Sequence, residues 1–375
     1  MNLRNTYALI NLKNLKHNIK EIKNYYNDYK YYIGVVKANA YGHGDIIAKT
    51  LEEAGLNYLA VSSLEEGISV RKYTKLPILC FGYIDTKDID LAIKNNITLS
   101  IISYEYYQEL LKLNKNIKVH LKINSGMNRF GINDKNQVKE IVDNLKKSKI
   151  ELEGIYTHLA TSGVNDPYYD YQIKKFQELT QLIDLKEIPI VHIFNSLGLA
   201  RHKKLPYANG IRVGLMMYGF TYNLGKMSIK NRVKRRLKLH FLKVSKTILT
   251  NNLKLKKVLS LHSEVISINK VKEGEFVGYN ASYIAPYDTP IAVIPIGHAD
   301  GINNNYKKVM INQKLYDIVG ICMDYIMVKV DEQVKLHDVV DIINEKITIG
   351  SIAGKDSPHH ILVSISNRVD RKYEE

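Results

Sequence analysis

Cysteine is nearly absent. Cys80 and Cys322 are the only two in 375 residues, and they lie far apart in apolar, strand-like contexts. Two such thiols make neither a disulfide framework nor a metal site, so the expectation is buried, reduced thiols and no metal. No run of eighteen apolar residues occurs, which excludes an ordinary membrane-spanning helix. The segment Met1–Tyr7 lacks the apolar core of a secretory signal, and a cytoplasmic protein without a membrane partner is expected. Internal repeats and low-complexity segments are missing too.

Acidic residues are scarce: 38 Asp and Glu face 54 Lys and Arg, for a net charge of +16. Such a balance invites a nucleic-acid reading. Its distribution argues otherwise. Residues 226–257 hold twelve Lys and Arg and no acid, so one stretch carries +12 of the imbalance. A solvated insertion explains that, and no nucleic acid is expected as a partner.

What is present is an ordinary globular composition, 45% hydrophobic and 25% charged, in a chain long enough for two domains. Up to about residue 220, short apolar strands alternate with amphipathic helical stretches: 32–36, 58–61, 78–82, 98–102, 118–123, 152–156, 190–193 and 210–213 read as strands. Eight strands separated by helices predict a (β/α)8 barrel of the TIM type. A doubly wound sheet is the competitor, but no Gly-x-Gly-x-x-Gly turn follows the first strand. Past residue 257, segments such as 259–271, 276–279, 291–296, 316–319 and 326–330 alternate apolar and polar residues. They predict a mostly antiparallel β-domain. The expected division is a barrel over 8–225, a basic insertion or linker over 226–256, and a β-domain over 257–375, to which residues 1–7 contribute a strand.

The first strand runs into Lys37-Ala38-Asn39-Ala40-Tyr41-Gly42. A lysine at the end of a buried parallel strand is desolvated, which lowers its pKa and frees the amine for Schiff-base chemistry. Small residues behind it leave room for a planar cofactor. Taken alone, a lysine after an apolar run is more often a strand-end residue reaching for solvent.

The lysine motif, the barrel followed by a β-domain, and several later stretches together resemble the alanine racemase family, whose members use pyridoxal 5′-phosphate (PLP). The resemblance covers about 3–222 and 257–371, in the family's order. It implies that Lys37 holds PLP covalently and that Tyr41 hydrogen-bonds its phosphate. In Thr157-His158-Leu159-Ala160, His158 would pack on the cofactor ring and steady an arginine. In His192-Ile193-Phe194-Asn195-Ser196, Ser196 would bind phosphate, with Asn195 beside it. The stretch Ile211–Gly219 would add the amides of Gly214 and Leu215 to that cradle. Arg212 matches the arginine that faces the pyridine nitrogen. A guanidinium only donates, so it keeps that nitrogen unprotonated and disfavours transamination.

Lys122–Gly131 resembles another family signature. There Arg129 contacts the cofactor phenolate and the substrate carboxylate, a task suited to a forked guanidinium. Lys122 stands where many members carry a carbamylated lysine that orients this arginine. Racemisation needs a base on each face of Cα, and Gly278–Tyr283 resembles the family's catalytic tyrosine turn, with Tyr279 as the second base. Family dimers are head-to-tail, so the resemblance implies a homodimer whose sites are shared across the interface. In Gly320–Asp324, the amide of Met323 would bind the substrate carboxylate, supported by Asp324.

Two positions of the family's substrate gate depart from its usual pattern: His298 and Asn367 stand where tyrosines are common. Asn367 could admit a hydroxymethyl side chain. The expected activity is interconversion of L- and D-alanine, supplying D-alanine for peptidoglycan; a serine or broad-specificity amino-acid racemase is the alternative. A barrel PLP decarboxylase is disfavoured by Arg212, and a non-enzymatic PLP carrier by the β-domain with Tyr279.

Overall fold

The computed structural model describes residues 4–162, 167–220, 252–354 and 357–375. The chain divides into two compact units. One comprises Lys16–Lys37 and Asp45–Lys256; the other comprises Met1–Leu15, Ala38–Gly44 and Lys257–Glu375.

The first strand, β1 (Tyr7–Asn11), belongs to the sheet of the second of these units. The next eight are β2 (Tyr31–Val35), β3 (Tyr58–Val61), β4 (Ile78–Cys80), β5 (Ile97–Ile101), β6 (Ile117–Lys122), β7 (Ile150–Tyr156), β8 (Ile190–His192) and β9 (Gly210–Val213). They close into a parallel barrel, with β9 returning to β2 through Ile33↔Arg212. Buried strands of this kind read as continuous apolar runs because helices cover their outer faces. That is why β3, β4, β5 and β9 are buried at every residue. Several of the helices between them start on side-chain caps: Ser63 accepts from the Glu66 amide, Ser103 from Tyr106 and Asp134 from Gln137.

In the other unit a nine-stranded, mostly antiparallel sheet runs β11-β14-β17-β16-β15-β18-β10-β1-β19. The strands are β10 (Leu259–Glu264), β11 (Ser267–Val271), β14 (Thr289–Ile294), β15 (Lys308–Ile311), β16 (Lys314–Ile321), β17 (Ile326–Lys329), β18 (Val339–Ile343) and β19 (Asp370–Glu374). A separate two-stranded hairpin joins β12 (Phe276–Val277) to β13 (Tyr283–Ile284).

Two expectations change in detail. The segment 259–271 is not one strand: it breaks at Val265 and Ile266, where the chain leaves the β18 edge and joins β14. The segment 276–279 stops being a strand at Val277, because Gly278, Asn280 and Ala281 take φ of 80°, 57° and 50° and force a tight turn. Most of the basic stretch 226–257 lies outside the described residues. Its last part is tied to the barrel unit, where Asn18 exchanges two 2.7 Å hydrogen bonds with the backbone of Lys256.

Candidate active site

Lys37 follows β2 directly, at the end of the barrel where parallel-barrel chemistry is built. Beyond it the backbone turns left-handed: Ala38, Asn39, Ala40 and Tyr41 have φ of 54°, 51°, 51° and 53°. L-residues pay roughly 1–2 kcal/mol each for that conformation, and such strain clusters at functional sites. The Gly42 amide closes the turn on the Ala38 carbonyl at 3.0 Å. Buried His43 bonds the carbonyls of Ala40 and Tyr41 through Nδ1, 3.0 Å each, and burial holds its pKa down to about 4.

Around the same barrel end the structure gathers cations. Burial, and then the Arg129 charge, push the Lys37 amine below its ordinary range, with Glu66 opposing. Lys122, the last residue of β6, is pushed down to about 7 by burial and by Arg129, Arg212 and Lys37. Its ammonium lies over the rings of Phe130 and Tyr156, 5.4 Å from each centroid. Arg129 sits on an exposed loop that is nevertheless pinned. Asn124 Oδ1 accepts from the amides of Gly126 and Asn128, Tyr168 donates to the Gly126 carbonyl at 2.6 Å, and Thr157 donates to the Ile123 carbonyl at 2.9 Å.

Arg212 is 3% exposed, on β9. Its Nη1 donates to His192 Nδ1 at 2.9 Å and to the His192 carbonyl at 2.8 Å. Its Nη2 donates to the carbonyls of Thr157 and Ile193, 2.8 Å each, and stands 3.5 Å from His158 Nδ1. Burial lowers its pKa to about 10, so it stays charged near neutrality. Its Nε–H makes no hydrogen bond within the described residues. His158 is held neutral, down to about 3, by burial and then by Arg212.

The next strand end supplies Asn195 and Ser196. Asn195 Oδ1 accepts from the Gly198 amide at 2.9 Å. Ser196 Oγ accepts from the Gly214 amide at 2.9 Å, so this serine and the segment carrying Gly214 and Leu215 form one polar corner.

These residues fit PLP. A phosphate and a phenolate are anionic, as is the carboxylate of an amino acid. Lys37, Lys122, Arg129 and Arg212 supply matching positive charge, and Glu66 opposes the lowering of the Lys37 amine. Arg212 keeps one donor for a ligand.

The remaining expected residues belong to the other unit. Tyr41 is buried against the His359 ring, with centroids 5.3 Å apart. Tyr279 is 72% exposed on its turn, and Ser282 ties that turn to the Val277 carbonyl at 3.3 Å. The amides of His298 and Ala299 donate to the carbonyls of Cys322 and Met323 at 3.0 and 2.8 Å, which joins the His298 and Met323 turns. Arg368, next to Asn367, donates to Asp324 at 2.7 Å and stands 3.6 Å from buried Asp300. His298, Met323, Asp324 and Asn367 are thus brought onto neighbouring turns.

Sequence reasoning missed His120, Glu153 and Tyr156, and gave His192 no role. All four lie inside the barrel around Arg212. The available signal was His120 and Lys122, polar residues two apart in the stretch of β6 that is otherwise apolar and buried, which an interior tolerates only when those side chains have partners. A cavity of about 470 Å³ lined by Asp143, Lys146, Glu151, Leu182 and Glu187 opens near the start of β7, at the opposite barrel end, and holds none of the expected residues.

The comparisons with known proteins agree along the whole chain. The family profile described as alanine racemase, N-terminal domain matches residues 10–222, and that described as alanine racemase, C-terminal domain matches 258–373. The alanine racemase of Borreliella burgdorferi is 36% identical over 98% of this chain and 97% of its own length. Alanine racemase 2 of Caldanaerobacter subterraneus subsp. tengcongensis is 32% identical over 99% of this chain and 95% of its own. Among solved structures, the alanine racemase of Clostridium difficile 630 superposes with a TM-score of 0.86 at 33% identity, covering 99% of this chain and 96% of that one.

Proposed function

The chain belongs to the alanine racemase family, a PLP-dependent isomerase family, and from that premise we propose that racemisation runs between two bases, Lys37 and Tyr279. When bound, PLP draws electrons from the amino acid and so acidifies its Cα–H. Lys37 Nζ takes or returns that proton on one face, and the Tyr279 hydroxyl does so on the other. Arg129 and the Met323 amide hold the carboxylate, with Asp324 supporting. With PLP bound, Tyr41, Asn195, Ser196, Gly214 and Leu215 would hold its phosphate, His158 would support its ring, and Arg212 would offer its donor to the ring nitrogen.

The observation that carries this reading is Arg212: buried, charged, four of its N–H groups committed to the barrel and Nε–H left over. A fixed donor there leaves the ring a weak electron sink, which suits prompt reprotonation at Cα. Lys122, with a neutral amine available near pH 7, takes up CO2 as a carbamate and releases one proton. The carbamate then orients Arg129; a mass increase or extra density beyond Nζ tests it.

The working form is a homodimer in which the partner subunit's Tyr279 completes each site. Exposed Phe276, Ile284, Tyr287, Met323 and Tyr325 in the same unit as Tyr279 support that reading, since an apolar surface of this kind calls for cover. The protein works in the cytoplasm, in keeping with its two free cysteines, and supplies D-alanine for peptidoglycan. None of the described helices is long and apolar enough to cross a membrane.

Serine is turned over as well, though more slowly than alanine: a pocket for a methyl group rejects an added hydroxyl only weakly. Tyr279→Phe tests the two-base reading. It should retain PLP and lose racemisation by ~10²–10⁴-fold, the usual worth of a general acid–base group. Unchanged racemisation would refute it.

A further inference from the structure

Arg212 has no carboxylate beside it: its described side-chain partners are three carbonyls and two imidazoles. A buried charge left uncompensated is costly. The compensation lies deeper in the barrel. His192 Nε2 stands 2.8 Å from His120 Nδ1, and His120 Nε2 stands 3.4 Å from Glu153 Oε2. Tyr58, at the start of β3, donates to the same carboxylate oxygen at 2.6 Å, and Thr98 donates at 3.2 Å. The chain Arg212–His192–His120–Glu153 thus runs from the site toward the N-terminal end of the barrel.

We propose that Glu153 is a positioning residue for Arg212, acting through one enforced set of proton positions on His192 and His120. The proposal rests on the reading that Arg212 faces the cofactor.

The polarity follows from which groups can only donate or only accept. A guanidinium only donates, so His192 Nδ1 must accept and its proton sits on Nε2. That N–H donates to His120 Nδ1, which places the His120 proton on Nε2. There it meets Glu153, which as a carboxylate only accepts. Every donor therefore points away from the arginine and toward the acid. With a donor in place of Glu153, His120 could carry its proton on Nδ1 instead. His192 would then be driven to carry its own on Nδ1, facing the Arg212 N–H donor to donor.

Packing holds both rings in line. The Tyr156 ring stacks on His192 with centroids 4.7 Å apart and planes 10° from parallel. His120 lies against Gly154, which has no side chain to displace it. The ionisation states agree. Burial keeps both histidines below their ordinary range. Burial alone would raise Glu153, but the nearness of His120 and the bond from Tyr58 prevail and hold it down to about 2.

The test uses the holoenzyme labelled with ¹⁵N-histidine, with kcat and KM for L-alanine measured on the same preparations. In the parent, His120 and His192 should both be neutral with the proton on Nε2. Glu153→Met, which leaves His120 Nε2 facing no acceptor from this position, should release the His120 proton from Nε2 and lower kcat ~10–100-fold, as loss of an outer partner does at a tuned site. KM should stay within about twofold if substrate contacts are untouched. Tyr58→Phe keeps the ring, removes one bond to the carboxylate, and should lower kcat by a smaller factor. Glu151→Met, the same change two residues away on the exposed side, should alter neither readout.

Loss of kcat in Arg212→Lys with parent-like kcat in both Glu153→Met and Tyr58→Phe would sink the relay alone. Histidine protons unmoved in Glu153→Met would sink it as well. Parent-like kcat in Arg212→Lys would instead overturn the reading of Arg212 itself.

Discussion

The His120 ring fills the space that a side chain on Gly154 would need: a Cβ built on Gly154 would lie 2.5 Å from His120 Cε1 and 2.6 Å from its Nδ1. The two residues are partners in the β6–β7 register, beside an irregularity at Val119 and His120. One missing methyl group thus admits a buried imidazole to the barrel axis.

Gly154→Ala should therefore force the ring aside, at a cost of ~1–3 kcal/mol for overpacking a closed interior. Thermal unfolding measures the cost. Because the ring also carries the link between His192 and Glu153, kcat should fall with stability, and a stable variant with parent kcat would contradict this placement.

Subunit mixing tests the shared site. Lys37→Ala and Tyr279→Phe subunits are each inactive alone. If each site takes its lysine from one subunit and its tyrosine from the other, a mixed dimer regains one intact site. Random reassortment of an isologous pair should restore ~25% of the parent rate per site. Recovery no greater than that of either parent variant would show that both bases come from one chain.

Ala38 is exposed yet held at φ 54°. Glycine adopts that conformation without the Cβ clash, so Ala38→Gly should stabilise the fold by ~0.5–1 kcal/mol despite its greater unfolded entropy. The expected rise in Tm is about 1–4 °C for a protein of this size. A fall would mean that the turn is not left-handed in solution.

Stability should rise with pH above neutrality, for a reason that can be assigned. Lys122 has a folded pKa of about 7, against roughly 10.4 in the unfolded chain. Between those values the unfolded state holds a proton that the folded state has lost. Its contribution is fully present above the unfolded value and disappears as pH falls through 7. The slope is ~1.4 kcal/mol per pH unit while only the unfolded lysine is protonated. In carbonate-free buffer, Tm should climb from pH 7 to 9 in the parent and much less in Lys122→Met. Equal slopes would assign the effect elsewhere.

Much of the architecture was legible in order along the chain. The eight barrel strands were visible because strands buried on both faces are apolar runs bounded by helical stretches. Their ends moved by only a residue or two, as with β5, which spans 97–101 and not 98–102. The Tyr279 segment was misread as strand to its end because glycine and asparagine can continue a strand or break it, and only the φ angles decide. Strand β19 went unseen: Asp370–Glu374 has no apolar alternation, and it is a strand only because β1 pairs with it in parallel.

The site divides in the same way. Lys37 could be singled out from sequence because it follows a recognisable strand, whereas His158, Asn195, Ser196 and Arg212 were named through the motifs that resemble the family's. Sequence by itself determined the order of elements, the identity of the cationic groups and the lysine at the rim. Only the tertiary structure decided which groups complete Arg212. His192, His120 and Glu153 come from three strands far apart in the chain, and closing the barrel alone brings their inward faces within hydrogen-bond reach. The hydrogen-bonding direction of that chain is set by donors and acceptors meeting in space, which no spacing along the sequence encodes.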